Sequence, residues 1–296
     1  MIEIKNLTKT FGRTVAVNSL SLTIQPGITG LVGENGAGKS TLFRLISNVL
    51  YADRGEILID GIPCSQKEAK EKVFFLADDP YAPGNMKIKD VLDYYGVFYS
   101  LNAEHIGELV KKLSLPTDKK ISSFSKGMKR QFFLSLALNI DVPYILLDEA
   151  FDGLDPLILS LIGKEMEEKA AQGKTIVASS HNLVTLENIT DRFIVLSKGR
   201  LSSEGESKDI GHSLVKYQAI FERPVTVEDF ASYGIRVLSI KKVGSIVQLV
   251  LEDKDGLEDM IRDAFHPTLL EKVGLDAEEI LKIQMEDAKK EGGSHD

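Results

Sequence analysis

Apolar and polar residues change rhythm along the chain, and each rhythm predicts a different kind of element. Up to about residue 27 the two alternate: Ile2 and Ile4, then Val15 and Val17, then Leu20, Leu22 and Ile24. A period of two predicts antiparallel strands, with Phe11-Gly12 in the turn between the first two groups. Residues 28–32 form a short unbroken apolar run, the pattern of a strand buried on both faces. Leu42, Phe43, Leu45 and Ile46 then recur at helical spacing, and residues 58–60 before Gly61 read as another strand and turn. After Val73-Phe74-Phe75-Leu76 the period becomes helical over 86–139 (Val91, Leu92, Tyr95, Phe98, Tyr99; Ile106, Leu109, Val110, Leu113), with Pro116 as a break. Strand runs return at 144–147, 175–179 and 193–196, with helix-like stretches at 157–172 and 184–188 between them. Strands alternating with helices predict an α/β fold, a mostly parallel sheet covered on both faces.

At 201–211 the texture becomes polar and rich in Ser and Gly, which predicts a linker. Beyond it the pattern reads strand (214–221), helix (227–233), strand (235–241), strand (245–251) and helix (257–265), an order compatible with a small split βαβ sandwich. The chain therefore divides into a first domain over 1–205, a small α+β domain over 212–287, and a flexible tail over 288–296.

Composition narrows the class. In 296 residues, 43% hydrophobic and 27% charged content are those of a globular protein. The longest nearly apolar run, about 132–140, is far short of the roughly 20 residues of a membrane span. The first five residues lack the apolar stretch of a secretory signal, so a cytosolic location is expected. Cys64 is the only cysteine, which excludes an intrachain disulfide and a cysteine-based metal cluster. The net charge of −8 is uneven: from Glu252 onward there are 14 acids against 6 bases, and everything before is neutral. No basic footprint for nucleic acid is present.

The strand at 28–32 and the helix after it flank Gly33-Glu34-Asn35-Gly36-Ala37-Gly38-Lys39-Ser40-Thr41, which fits G-x-x-x-x-G-K-[ST] in the strand–turn–helix setting that motif requires. Such a turn aims successive backbone N–H groups at phosphate oxygens, aided by the positive end of the helix. Gly36 and Gly38 permit the close approach and positive φ it needs. Lys39 is the candidate for the β- and γ-phosphates and Ser40 for Mg²⁺, so the chain is expected to bind a nucleoside triphosphate. A second apolar strand, 144–147, ends in Asp148 and Glu149. Asp148 is the expected magnesium partner, directly or through water, and Glu149 the expected general base toward a water in line with the γ-phosphate.

Three further segments follow in order: Phe124-Ser125-Lys126-Gly127-Met128 before a helix, Asp152-Gly153-Leu154-Asp155-Pro156 after the acids, and Ser179-Ser180-His181 at the end of a strand. Together these motifs resemble the ATP-binding subunit of ABC-type transporters over about residues 1–205. The resemblance implies a P-loop ATPase domain with a mixed-sheet core, an antiparallel β subdomain and a helical subdomain near 84–140. It implies that Phe11 stacks on adenine, a core phenylalanine being the alternative. It implies that Gly33, Asn35, Gly36, Ala37, Gly38, Lys39, Ser40 and Thr41 cradle ATP, and that His181 hydrogen-bonds the γ-phosphate. Ser125, Lys126 and Gly127 would complete the site of an opposite subunit, with Asp155 in the loop crossing between the two. ATP would join a head-to-tail dimer, and hydrolysis would release it.

Two departures stand out. The glutamine that the family carries near residues 75–80 is absent; Asp78 takes its place, with Asp79 the neighbouring possibility, as a group that can approach Mg²⁺ or water. The Ser-Lys-Gly-Met signature is similar to that of ATPases driving export of drugs, peptide toxins and lantibiotics. Tyr81, Tyr94, Tyr95, Phe98 and Tyr99 border the groove where the family docks its permease, as a socket or as the subdomain's own core. The resemblance thus predicts an ATPase on the cytoplasmic face of the membrane, working as a homodimer or with a related subunit, that drives a separate permease outward. A soluble ATPase remodelling ribosomes or nucleic acid is the rival, with an ATP-binding regulator behind it.

Overall fold

A computed structural model describes residues 1–80, 82, 85–181, 186, 189–206 and 214–274. The chain forms two compact units, Met1–Glu204 and Gly205–Asp296.

In the first unit the alternating segment forms two long strands, β1 (Ile2–Phe11) and β2 (Thr14–Ile24), where the pattern predicts three. Register shifts let one bulged β2 carry both later groups of apolar residues, from Val17 opposite Lys9 to Ile24 opposite Ile2. With β4 (Arg54–Ile59) and β5 (Ile62–Pro63) they make an antiparallel sheet ordered β2-β1-β4-β5.

The second sheet is ordered β10-β9-β3-β8-β7-β6, comprising β3 (Gly27–Val32), β6 (Val73–Leu76), β7 (Tyr144–Leu147), β8 (Thr175–Ser180), β9 (Arg192–Ser197) and β10 (Arg200–Glu206). β6, β7, β8, β3 and β9 pair in parallel, and β7 and β8 are buried at every residue, as a sheet covered on both faces demands. The pairing sets Leu76 beside Leu147, Leu147 beside Ala178, and Val32 beside Ser180, so the carboxyl ends of these strands lie in one row. One core joins Ile2, Leu20 and Ile59 of the first sheet to Leu146 and Val177 of the second through Phe43 and Leu45 of α1 (Lys39–Ile46).

β10 corrects the linker expected from residue 201. Lys198 and Gly199 both have positive φ (47° and 76°), the backbone of a two-residue hairpin turn, and Leu201 packs against the core. The pairing of that turn outweighs a polar texture.

The region of helical period resolves into α3 (Ile88–Gly96), α4 (Ala103–Lys112) and α5 (Lys126–Leu138), after a short α2 (Lys67–Lys70). α6 (Pro156–Ala171) follows Asp155, which caps it. The helix expected at 184–188 falls almost entirely outside the described residues, as does the tail at 288–296.

The second unit is a strand–helix–strand–strand–helix–strand fold: β11 (Leu214–Ile220), α7 (Val227–Ala231), β12 (Val237–Val243), β13 (Ile246–Glu252), α8 (Leu257–Phe265) and β14 (Leu269–Val273). Its antiparallel sheet is ordered β12-β13-β11-β14, the interleaved topology of a split βαβ sandwich. Val215, Tyr217 and Leu249 pack beneath Phe230 and Ile261. Of β14's five residues only Leu270 is buried, which gives the sequence no run to read.

Candidate active site

Four of the segments singled out for chemistry leave the carboxyl ends of parallel strands: the Gly33 loop follows β3, Asp78 follows β6, Asp148 and Glu149 follow β7, and His181 follows β8. In an open α/β sheet this rim is where ligands bind.

The Gly33 loop has the geometry its sequence predicts. Gly36 and Gly38 have φ of 84° and 106°, and a Cβ at Gly38 would lie 2.4 Å from the Ala16 carbonyl oxygen, so both positions require glycine. Gly38 caps α1 without a side chain, leaving the helix's amino end to the loop. Lys39 is buried and curls back over this loop, donating to the carbonyls of Gly33 (2.6 Å) and Glu34 (3.3 Å). A loop of this shape fits a chain of phosphates.

β8 lies between β3 and β7, and one of its side chains joins the two halves of the site. Ser179 Oγ donates to Asp148 Oδ1 (2.7 Å) and accepts from the Glu149 amide (3.0 Å), while Ser40 Oγ donates to the same Asp148 oxygen (3.1 Å). Burial pushes the Asp148 carboxyl up and the Glu149 charge adds to this, while the two serine hydroxyls oppose it. Ser40 and Asp148 offer hard oxygen donors side by side, the chemistry that suits Mg²⁺.

Glu149 adopts φ 48°, a left-handed backbone uncommon outside glycine. Its Oε1 lies 3.1 Å from Lys39 Nζ, and its Oε2 3.0 Å from His181 Nδ1 and 3.3 Å from the His181 amide. Asp152 reaches the same histidine at 3.6 Å, so Glu149, Asp152 and His181 converge closely enough to offer a second set of metal donors. Burial, then the Glu149 charge, raises the Asp152 carboxyl, with His181 and Arg130 opposing.

Lys39, Ser40, Asp148, Glu149 and His181 are thus brought together. The other candidates are held elsewhere. Phe11 ends β1 at 47% exposure with Lys9 Nζ over its ring at 5.5 Å, which removes the core alternative for it. Ser125 caps α5, accepting from the Met128 amide (3.2 Å), with Lys126 and Gly127 in the first turn. Asp155 caps α6 through the amides of Leu157 (3.1 Å) and Ile158 (3.0 Å). Asp78, expected near Mg²⁺, is instead paired with Arg130 Nη2, because a buried guanidinium close by needs its charge. Sequence reasoning missed Arg130, Asp152 and the bridging role of Ser179. The available signal was Arg130 itself, a charge on a helix whose Phe132 and Phe133 are buried, where an arginine needs a partner.

Comparison with known proteins agrees with this geometry. The family model described as ABC transporter matches residues 17–152. The Nod factor export ATP-binding protein I of Burkholderia lata is 32% identical over 69% of this chain and 70% of its own length. The petrobactin import ATP-binding protein of Bacillus subtilis is 31% identical over 80% of this chain and 99% of its own length. A solved structure of an ATP-binding subunit of an ABC transporter superposes with a TM-score of 0.65 at 26% identity, covering 72% of this chain and 92% of that one. Among the described residues no helix is long and apolar enough to cross a membrane. With its phosphate loop, paired acids and strand-end histidine in one place, this chain belongs to the ABC transporter family as an ATP-hydrolysing, ATP-binding subunit that powers a transporter.

Proposed function

We propose that the chain drives a separate permease that exports a drug-like molecule, peptide or toxin, from the cytoplasmic face of the membrane. The observation that carries the ATPase cycle is the placement of the Glu149 carboxylate between Lys39 and His181, beside the Ser40–Asp148 pair. Glu149 accepts the proton of the attacking water, and His181 and Lys39 hold the γ-phosphate end. Ser40 and Asp148 would hold Mg²⁺, which neutralises phosphate charge when bound. Phe11 offers its exposed ring to adenine. Ser125, Lys126 and Gly127, on an amino-terminal helix turn without acids, complete the site of a second subunit, with Asp155 in the crossing loop.

Export is supported by the Ser-Lys-Gly-Met signature, by the small second unit, and by relatives named for Nod factor export. The permease socket is supported by α3. Tyr95 and Tyr99 pack against Phe74, whereas Tyr94, Val97 and Phe98 stay exposed, and Val97, Phe98 and Tyr99 line a groove of about 740 Å³. Tyr81, the fifth aromatic of this stretch, lies outside the described residues. An apolar cluster beside a groove suits a partner's helix.

The test is gentle detergent extraction of membranes with this chain as bait. An integral membrane protein in near-equal amount is expected, and Phe98→Glu is expected to lose it while retaining ATP turnover. Recovery with ribosomes or nucleic acid alone would replace this reading with the remodelling ATPase.

A further inference from the structure

Arg130 lies on α5, one turn beyond the Ser125 cap, and only 6% of its side chain is exposed. A buried guanidinium is stable only where its charge and its donors are met. Here Nη2 donates to the Asp78 carboxylate after β6, Nη1 donates to the carbonyl of Asp152, and Nε is buried with no partner among the described residues. The whole side chain therefore depends on those two contacts.

The Asp152 contact matters because of the loop it holds. Residues 148–155 carry Asp148, Glu149 and Asp155, and the loop turns through positive φ at Glu149 (48°) and again at Gly153 (73°). A loop with a left-handed glutamate does not hold that shape by local preference, so it needs outside anchors. Three are present. Ser179 accepts from the Glu149 amide at one end, Asp155 caps α6 at the other, and Arg130 takes the middle. The amino-terminal turn of α5 is also close by: a Cβ on Gly127 would lie 4.0 Å from the Gly153 carbonyl.

We propose that Arg130 is a positioning residue of the ATPase site, held by Asp78, and that the pair sets the Glu149 loop in register with the start of α5. Asp78 is half exposed and Arg130 buried, so Asp78 is the counter-charge that keeps the guanidinium aimed at the loop. An amide at position 78 is too weak a partner for that, since a hydrogen bond to a neutral group has about half the strength of a charge-assisted one. A lysine at position 130 offers one point charge where two separated acceptors must be reached. The proposal rests on ATP hydrolysis by this chain and is independent of which permease it drives.

The test uses the purified full-length chain, with turnover expressed per nucleotide-binding site so that unfolded protein does not count. Arg130→Lys and Asp78→Asn are each expected to lower kcat about 10- to 100-fold, the cost of a base displaced by a fraction of an ångström to an ångström. KM for ATP should stay within about twofold, because the proposal gives both residues a positioning role rather than a contact with nucleotide. Asp78→Glu, which keeps the charge, should recover most of the loss, and the double variant should be no slower than the slower single one. If Arg130→Lys folds poorly, the contrast between Asn and Glu at the half-exposed position 78 carries the test alone. Per-site kcat near wild type in Asp78→Asn, equal loss in Asp78→Glu, or losses that multiply would each overturn the proposal.

Discussion

Glu149 and Glu165 keep nearly the same company and do opposite work. Glu149 has a lysine at 3.1 Å and a histidine at 3.0 Å, Lys39 and His181. Glu165 has a lysine at 3.1 Å and a histidine at 2.9 Å, Lys169 and His105. The difference lies in what carries them. Glu149 is on a loop with a left-handed backbone, and its histidine is 47% exposed. Glu165 is inside α6 and 5% exposed; its lysine is one turn along the same helix, His105 comes from α4, and Asn139 at the end of α5 donates at 3.4 Å. One carboxylate is strained, reachable and held by groups that can take other partners. The other closes three helices around itself. The same three residue types thus make a reaction centre or a structural joint, according to whether the backbone beneath them is loop or helix.

The largest break in this comparison is Glu149→Gln. Loss of a general base is expected to lower kcat about 100- to 10,000-fold. Stability should hardly change, because Lys39 keeps its two carbonyl acceptors and the amide oxygen remains available to it. The chain should still bind ATP and form the ATP-joined dimer, measured by turnover and by sizing with and without ATP. Turnover retained in this variant would remove Glu149 from its role. Glu165→Gln reverses the pattern. Uncharging one member of a buried cluster costs about 3 kcal/mol. In a unit of this size that is about 6–12 °C in Tm, with kcat of the folded fraction close to wild type. A variant that lost turnover without losing stability would place Glu165 in the reaction instead.

The same contrast explains what the sequence made legible. The Glu149 site rests on contiguous words: a phosphate loop, an acid pair ending a strand, a histidine ending the next. Each is local, and the parallel register of β3, β7 and β8 then aligns them at one rim. The Glu165 cluster joins an i, i+4 pair on α6 to single residues from α4 and the end of α5. The Asp78–Arg130 pair joins two separate elements, and no spacing announces these contacts across elements. Legibility failed for the same reason at the edges of sheets. In β10 Leu201 packs against the core amid polar neighbours, and the strand's signal was the two-residue turn at Lys198-Gly199 rather than its own composition. Ile2, Leu20 and Ile59, by contrast, alternate cleanly because a whole sheet face is buried behind them.

The smallest expected effect is the acid limb of stability. Burial would raise the Glu165 carboxyl, but the bonds from His105 and Lys169 win, and its pKa in the folded protein lies below the ordinary value. The group then stabilises the fold fully above about pH 4.3, the ordinary glutamate value, and that stabilisation is lost as pH falls through the lower folded pKa. His105→Gln removes the imidazole and leaves Lys169 and Asn139, so the folded pKa should rise toward the ordinary value. Denaturant melts from pH 7 to 3 should then show two things. At neutral pH the variant should be weaker by about 1 kcal/mol, one hydrogen bond's worth. Its stability should also depend less on pH below about 4.3 than that of the parent chain, because it has less carboxylate stabilisation to lose. Equal acid slopes in the two proteins would mean that His105 merely packs against α6, and that Lys169 and Asn139 hold the carboxylate without it.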